Sequence, residues 1–143
     1  MLNEYERNKY RHLEVLVADD DKFILKAIRQ ILKDLGIERV TTCNDGDEMM
    51  ATFSDIESAS PTPYYDLVIC DWMMPGASGL DILHTVRDLR PETPFIMLTS
   101  KTTSDAIIAA RDANVSAYVA KPLTPAELHR KVQVLMQKTG KVL

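Results

Sequence analysis

The stretch Leu67-Val68-Ile69-Cys70 is apolar at every position, and the carboxylate of Asp71 follows it directly. Successive residues of a β-strand point to opposite faces of a sheet. A strand that is apolar at each position is therefore buried on both faces, which is typical of a parallel sheet covered on both sides. The stretch predicts a central parallel strand with Asp71 at its carboxyl end.

Similar apolar runs occur on both sides of this stretch. They are Val15–Ala18, Phe95–Leu98 and Ala117–Ala120, with a weaker candidate at Val40–Cys43. Segments with apolar residues at helical spacing alternate with these runs. The predicted helices lie near Ile24–Leu35, Asp47–Glu57, Gly79–Leu89, Ser104–Ala113 and Leu128–Met136. Five alternations of strand and helix predict a doubly wound α/β domain, in which right-handed connections place helices on both faces of the sheet.

Length and composition exclude several classes of protein. The 143 residues fit one domain, and the net charge of -4 argues against direct binding of nucleic acid. No apolar run approaches the roughly 20 residues that span a bilayer, and residues 1–12 lack the apolar stretch of a signal peptide. Cys43 and Cys70 do not make a disulfide framework. We therefore expect a cytoplasmic protein with neither membrane nor nucleic acid as a direct partner.

Polar side chains collect just after the predicted strands. They belong to Asp19, Asp20, Asp21, Asp71, Thr99, Ser100 and Lys121, the last of which is followed by Pro122. The carboxyl ends of parallel strands share one edge of the sheet, where ligands bind in folds of this class. Crowded carboxylates repel each other unless one is protonated or a cation lies between them. An all-oxygen set without His or Cys favours Mg²⁺, or alternatively Mn²⁺, over zinc, and Mg²⁺ commonly accompanies a phosphoryl group.

The same residues suit phosphoryl transfer. An Asp side chain can act as the nucleophile and form an aspartyl-phosphate. The transfer depends on positioning and on neutralising the charge of the transferred oxygens. A metal ion supplies part of that neutralisation, Lys121 can supply another part, and Thr99 can donate a hydrogen bond. The sequence therefore predicts a phosphoryl-transfer site around Asp71.

The chain resembles the receiver domains of bacterial two-component response regulators, particularly the single-domain chemotaxis type. The matching segments are Val17–Asp21, Asp71–Gly76, Leu98–Ser100 and Lys121–Pro122, with Leu32–Gly36 and Asn44–Gly46 also similar. The resemblance spans about Glu14–Lys138 and is specific because the full set occurs in order at strand ends. It implies a flavodoxin-like, five-stranded parallel sheet in the order 2-1-3-4-5. We expect a receiver domain over residues 13–139, preceded by an extension over residues 1–12.

The resemblance also implies roles for individual residues. Asp71 would be the phosphoacceptor, receiving its phosphoryl group from a sensor histidine kinase or a histidine phosphotransfer protein. The metal ion would be held by the carboxylates of Asp19, Asp20 and Asp71 and by the backbone carbonyl of Met73. The receiver itself would catalyse the transfer and its own dephosphorylation, so we do not expect a turnover enzyme.

A second group of residues would report the phosphorylation. Thr99 would be the hydroxyl that moves toward the phosphoryl group, Lys121 would pair with phosphate, and Tyr118 would change between outward and inward positions. The Lys121–Pro122 peptide bond would be cis, which is common only before proline. The movement would alter the surface of the fourth helix, fifth strand and fifth helix of the pattern, where a downstream protein would bind. The receiver could act alone or within a longer chain.

Ser78, and the pair Met73 and Lys101, depart from the family's usual pattern. Ser78 stands where the family often has Asp, although that position is not a ligand. Met73 and Lys101 lie two residues after Asp71 and Thr99, and we hypothesise that they control how easily water reaches the aspartyl-phosphate. The extension is expected to be a flexible or partly helical lead-in.

Two other functions are compatible with part of the same set of residues. A phosphatase of the haloacid dehalogenase type also uses an Asp nucleophile, but it needs a second Asp at the position of Met73. A degenerate receiver used only for docking is disfavoured by intact Asp20, Asp71, Thr99 and Lys121.

Simpler structural roles compete at individual positions. Asp21 is expected to cap the first predicted helix rather than to bind metal. Thr99 could cap the helix that follows it, and Tyr118 could be a packing aromatic. Cys43 and Cys70 are expected to be small buried side chains.

Overall fold

The structure is a computed structural model that describes residues 2–54, 64–100 and 103–143. Eleven elements follow one another in these residues. They are α1 (Glu4–Asn8), β1 (Glu14–Ala18), α2 (Lys22–Leu35), β2 (Arg39–Cys43), α3 (Gly46–Ser54), β3 (Leu67–Asp71), α4 (Gly79–Leu89), β4 (Phe95–Thr99), α5 (Ser104–Asp112), β5 (Ala117–Ala120) and α6 (Pro125–Lys138). No helix within the described ranges is both long enough and apolar enough to cross a membrane.

The five strands form one parallel sheet in the order β2-β1-β3-β4-β5, as the sequence predicted. Two buried clusters cover its faces. One contains apolar side chains of α2 and α6, and the other contains those of α3, α4 and α5. In β3, Leu67 and Ile69 join the first cluster, whereas Val68 and Cys70 join the second. This alternation confirms that the central strand is apolar throughout because both of its faces are covered.

The observed element bounds agree closely with the predicted ones. The weaker strand candidate is present as β2, and its alternating exposure reflects its place at the edge of the sheet. The predicted end of the third helix, at Glu57, lies outside the described residues, which contain α3 up to Ser54. Cys43 and Cys70 are both buried free thiols, as expected.

The N-terminal extension contains the short helix α1, followed by Tyr10, whose side chain is buried in the α2 and α6 cluster. The extension reaches the end of α2, where Gly36 closes the helix with a φ of 104°. A Cβ at this glycine would lie 2.2 Å from the backbone oxygen of Arg7. Gly36 therefore combines a left-handed conformation with a close approach of the extension.

We expect Gly36→Ala to lower the free energy of unfolding by about 2 kcal/mol, because the new Cβ meets both backbone strain and the Arg7 carbonyl. Gly140→Ala is the matched control. Gly140 also has a positive φ, 74°, but no described atom lies within 4 Å of a Cβ there. Gly140→Ala should lower the free energy of unfolding by only about 1 kcal/mol. Urea unfolding of both variants measures the difference, and equal losses would contradict a steric role for the extension.

Candidate functional site

The site lies at the carboxyl edge of the sheet. The parallel register pairs Ala18 with Cys70, so Asp19 and Asp71 emerge from neighbouring strands one residue later. Leu98 pairs with Asp71 on the other side, which places Thr99 at the same edge. The strand ends thus bring together residues that are far apart in the sequence.

Three carboxylates form the centre of this edge. Oxygen atoms of Asp19, Asp20 and Asp71 all lie within 4.8 Å of one another. Asp19 and Asp71 are buried, whereas Asp20 is exposed. Two buried carboxylates at this separation repel each other strongly, since water screens them poorly. The cluster therefore needs a source of positive charge.

Lys121 supplies one positive charge. Its Nζ lies 2.8 Å from Oδ2 of Asp19 and 3.3 Å from Oδ1 of Asp71. Burial by itself would lower the pKa of Lys121, but the hydrogen bond and negative charge of Asp19, followed by the charge of Asp71, raise it above its ordinary value. The ammonium is therefore firmly charged and shared between two carboxylates.

Asp71 remains electrostatically strained despite Lys121. Burial and the nearby charge of Asp19 raise the pKa of Asp71, while Lys121 and a hydrogen bond from the Met73 backbone act in the opposite direction. One ammonium thus does not fully neutralise the cluster. An added divalent cation would lower the pKa of Asp71 and relieve the remaining repulsion.

The donor set fits Mg²⁺. All three clustered side chains offer carboxylate oxygens, and Asp20 leaves the cluster open to water. Mg²⁺ favours oxygen ligands, one or two carboxylates, and several retained waters. Met73 lies in the loop directly after β3 and is 56% exposed. Because a thioether is a poor ligand for Mg²⁺ and a carbonyl oxygen is a good one, any role of Met73 in holding the ion rests with its backbone carbonyl.

The two predicted switch residues lie on neighbouring strands. Thr99 ends β4 and is fully buried, and Tyr118 lies in β5 at the margin of the α3, α4 and α5 cluster. The Lys121–Pro122 peptide bond is cis. Lys101 lies outside the described residues.

Helix caps settle two of the structural alternatives. Asp21 caps α2 by accepting hydrogen bonds from the amides of Phe23 and Ile24, as expected. Thr99 does not cap α5, because Thr103 accepts the hydrogen bond from the first turn of that helix. Thr99 is therefore not the N-cap residue of α5.

The sequence did not single out Asp47, which touches the loop after β3. Its Oδ1 accepts a hydrogen bond from the backbone amide of Ala77 at 3.2 Å. Thirty residues separate the two positions. The nearest sequence signal was the Asn44–Gly46 segment, which resembled the family but did not indicate a contact between Asp47 and the loop after β3.

The chain is similar to a chemotaxis protein and to receiver domains of response regulators. The Chemotaxis protein CheY of Pseudomonas aeruginosa is 30% identical over 130 residues, which cover 90% of this chain and 99% of the relative. A Francisella response regulator receiver domain is 33% identical with a TM-score of 0.75, covering 90% of this chain and 99% of that one. A CheY-like receiver domain protein from Methanospirillum hungatei gives a TM-score of 0.79 at 26% identity, with coverage of 90% and 97%.

A family profile described as "Response regulator receiver domain" matches residues 15–133. The matched range contains all three clustered carboxylates, Thr99 and Lys121. The profile spans most of the sequence, and the sheet order is the one that the resemblance implied. This chain therefore belongs to the response regulator receiver domain family.

Proposed function

We propose that Asp71 accepts a phosphoryl group from a phosphohistidine on a sensor histidine kinase or a histidine phosphotransfer protein. The observation that carries this proposal is the cluster of Asp19, Asp20 and Asp71 beside the ammonium of Lys121. Receiver domains bind Mg²⁺ at an acidic pocket, and the three clustered carboxylates could hold such an ion. We assign Mg²⁺ to the three carboxylates and the Met73 backbone carbonyl, with Mn²⁺ as a substitute.

In the transfer, a carboxylate oxygen of Asp71 forms a bond to phosphorus while the bond from phosphorus to the donor's imidazole nitrogen breaks. The electron pair of the broken bond stays with the imidazole. Lys121 lies 3.3 Å from Oδ1 of Asp71, so its ammonium can face the phosphoryl oxygens once they arrive. Mg²⁺ held by the three carboxylates would neutralise further negative charge on those oxygens.

The phosphorylated receiver then acts as a switch. Thr99 is fully buried at the end of β4, and Tyr118 lies on the adjacent strand, with its residue paired to Met97. A movement of Thr99 toward the phosphoryl group would open space that Tyr118 can enter. The surface of α5, β5 and α6 would change shape and bind or release a downstream protein. We assign this behaviour to residues 13–139.

Two side chains are proposed to set the lifetime of the aspartyl-phosphate. Met73 is more than half exposed in the loop after Asp71. Lys101 follows Thr99 by two residues in the sequence. Together they would control the access of water to the phosphoryl group, whose hydrolysis ends the signal.

Removal of metal tests the proposed function directly. Wild-type protein incubated with phosphorylated candidate kinases, or with acetyl phosphate, should gain an acid-stable, base-labile label in the presence of Mg²⁺. Chelation with EDTA should reduce the labelling rate by at least about 100-fold, because the charge of the phosphoryl oxygens is then poorly neutralised. Added Mn²⁺ should restore it. Labelling at an equal rate in EDTA would refute the role of the acidic cluster.

A further inference from the structure

The loop that follows β3 is attached to the start of α3. Gly46 donates its amide to the backbone oxygen of Pro75 at 2.9 Å, and Asp47 accepts the amide of Ala77 at 3.2 Å. We call these two contacts the α3 clasp. They hold the middle of residues 72–78, whereas the end of that loop is held by the Gly79 amide, which donates to the Trp72 oxygen.

The clasp depends on the close approach of two backbones. A Cβ at Gly46 would lie 1.7 Å from the backbone oxygen of Ala77. A Cβ at Gly76 would lie 2.5 Å from Cγ of Asp47, and Gly76 also has a φ of 82°. A side chain at Gly46 would push the loop away from α3, whereas one at Gly76 would strain the backbone and displace the Asp47 carboxylate. The sequence thus provides both the hydrogen bonds and the space that the clasp needs.

Asp47 is not needed to begin α3. That task belongs to Asp45, whose Oδ1 accepts the amide of Glu48 at 2.7 Å. The Asp47 carboxylate instead reaches across to a loop thirty residues away. The hydrogen bond of Asp47 therefore stabilises the position of the loop rather than the start of α3.

The clasped loop carries Met73, two residues after Asp71. We propose that Asp47 is a positioning residue for the metal site: it fixes the loop so that the Met73 carbonyl is available to Mg²⁺ beside Asp71. This inference rests on the proposed function, since it takes the Met73 carbonyl as a ligand. Groups that orient the ligands of a metal commonly change its affinity by about 10-fold or more when they are removed.

The first test is a Mg²⁺ titration of three variants. Trp72 is the only tryptophan and adjoins Asp71, so its fluorescence should respond to the ion. Asp47→Ala, which removes the acceptor, should raise the Kd for Mg²⁺ by about 10-fold. Asp47→Asn keeps an acceptor oxygen and should stay within about 2-fold of wild type. Asp45→Ala weakens the start of α3 without touching the loop, and its Kd should also stay close to that of wild type.

The second test needs no metal. Amide hydrogen exchange in Mg²⁺-free protein should be faster at Ala77 in Asp47→Ala than in wild type or Asp47→Asn. Unchanged exchange in Asp47→Ala would overturn the proposal.

The outcomes of the titration separate the possible causes. Equal weakening by Asp47→Asn and Asp47→Ala would mean that the charge matters and the hydrogen bond does not, which overturns the proposal. Equal weakening by Asp45→Ala would attribute the effect to the stability of α3 and also overturn it. If wild type and Asp47→Ala bind Mg²⁺ equally well, the role of Asp47 is refuted but the proposed metal site is not. A wild-type protein that binds no Mg²⁺ refutes the proposed metal site itself.

Discussion

Replacing Asp71 with Asn is expected to reduce phosphoryl incorporation by at least about 100-fold, because the amide oxygen is a poor nucleophile. The substitution keeps the shape of the side chain and an oxygen that can accept a hydrogen bond from Lys121. Labelling with phosphorylated kinase or acetyl phosphate, at saturating Mg²⁺, measures the loss. A full labelling rate in Asp71→Asn would refute the central proposal.

Unfolding does not explain that loss, because Asp71→Asn should raise the stability of the metal-free protein at pH 7. Burial and Asp19 raise the pKa of Asp71 in the folded protein. A carboxyl group with a raised pKa contributes stability that is fully present below its unfolded pKa, about 3.9, and is lost as pH rises through the folded pKa. At pH 7 the charged form therefore opposes folding. We expect Asp71→Asn to have a higher free energy of unfolding than wild type when both are unfolded in urea without Mg²⁺.

Asp21→Asn is the matched control for Asp71→Asn. It removes one carboxylate from the same end of β1, but Asp21 is committed to capping α2 through the amides of Phe23 and Ile24. Asn is as good an N-cap as Asp. Labelling of Asp21→Asn should therefore stay near the wild-type rate. A loss as large as that of Asp71→Asn would show that any carboxylate at this edge is required.

The sequence predicted the sheet well because the signals for its strands are local. Each apolar run lies within a few residues, and a strand buried on both faces needs no partner to be recognised. The edge strand β2 gave the weakest signal because one of its faces is exposed. The location of the site could be predicted for the same reason. Residues that follow parallel strands meet at one edge of the sheet, so their proximity can be inferred before any of their contacts is known.

Contacts across the fold could not be predicted in the same way. The approach of Lys121 to Asp19 spans 102 residues, and composition does not reveal which carboxylate it prefers. The α3 clasp and the burial of Tyr10 likewise depend on how loops and termini pack after the sheet has formed. Such contacts are set by tertiary geometry. They nevertheless decide the electrostatics of the site, as the balance between Lys121 and the carboxylates illustrates.

Lys121→Ala is expected to lower the free energy of unfolding by about 3 kcal/mol in the absence of Mg²⁺, because it leaves the fully buried carboxylate of Asp19 without its cation. The same variant should bind Mg²⁺ about 3- to 10-fold more tightly, since the ion no longer competes with an ammonium for Asp19 and Asp71. Saturating Mg²⁺ should then restore most of the lost stability. Urea unfolding with and without Mg²⁺, together with a Trp72 fluorescence titration, measures both effects.

The exposed residue Lys26 supplies the control, because Lys26→Ala removes the same charge from the surface of α2 and should change neither stability nor Mg²⁺ affinity appreciably. High pH offers an independent check. The pKa of Lys121 is raised in the folded protein, so its stabilising contribution is complete below the unfolded pKa, about 10.4, and is lost as pH rises through the folded pKa. Wild type and Lys121→Ala should therefore converge in stability at strongly alkaline pH. If wild type remains more stable than Lys121→Ala at strongly alkaline pH, or if the two proteins bind Mg²⁺ equally well at neutral pH, packing rather than charge makes Lys121 important. Convergence with tighter Mg²⁺ binding would establish that Lys121 and the metal ion neutralise the same two carboxylates.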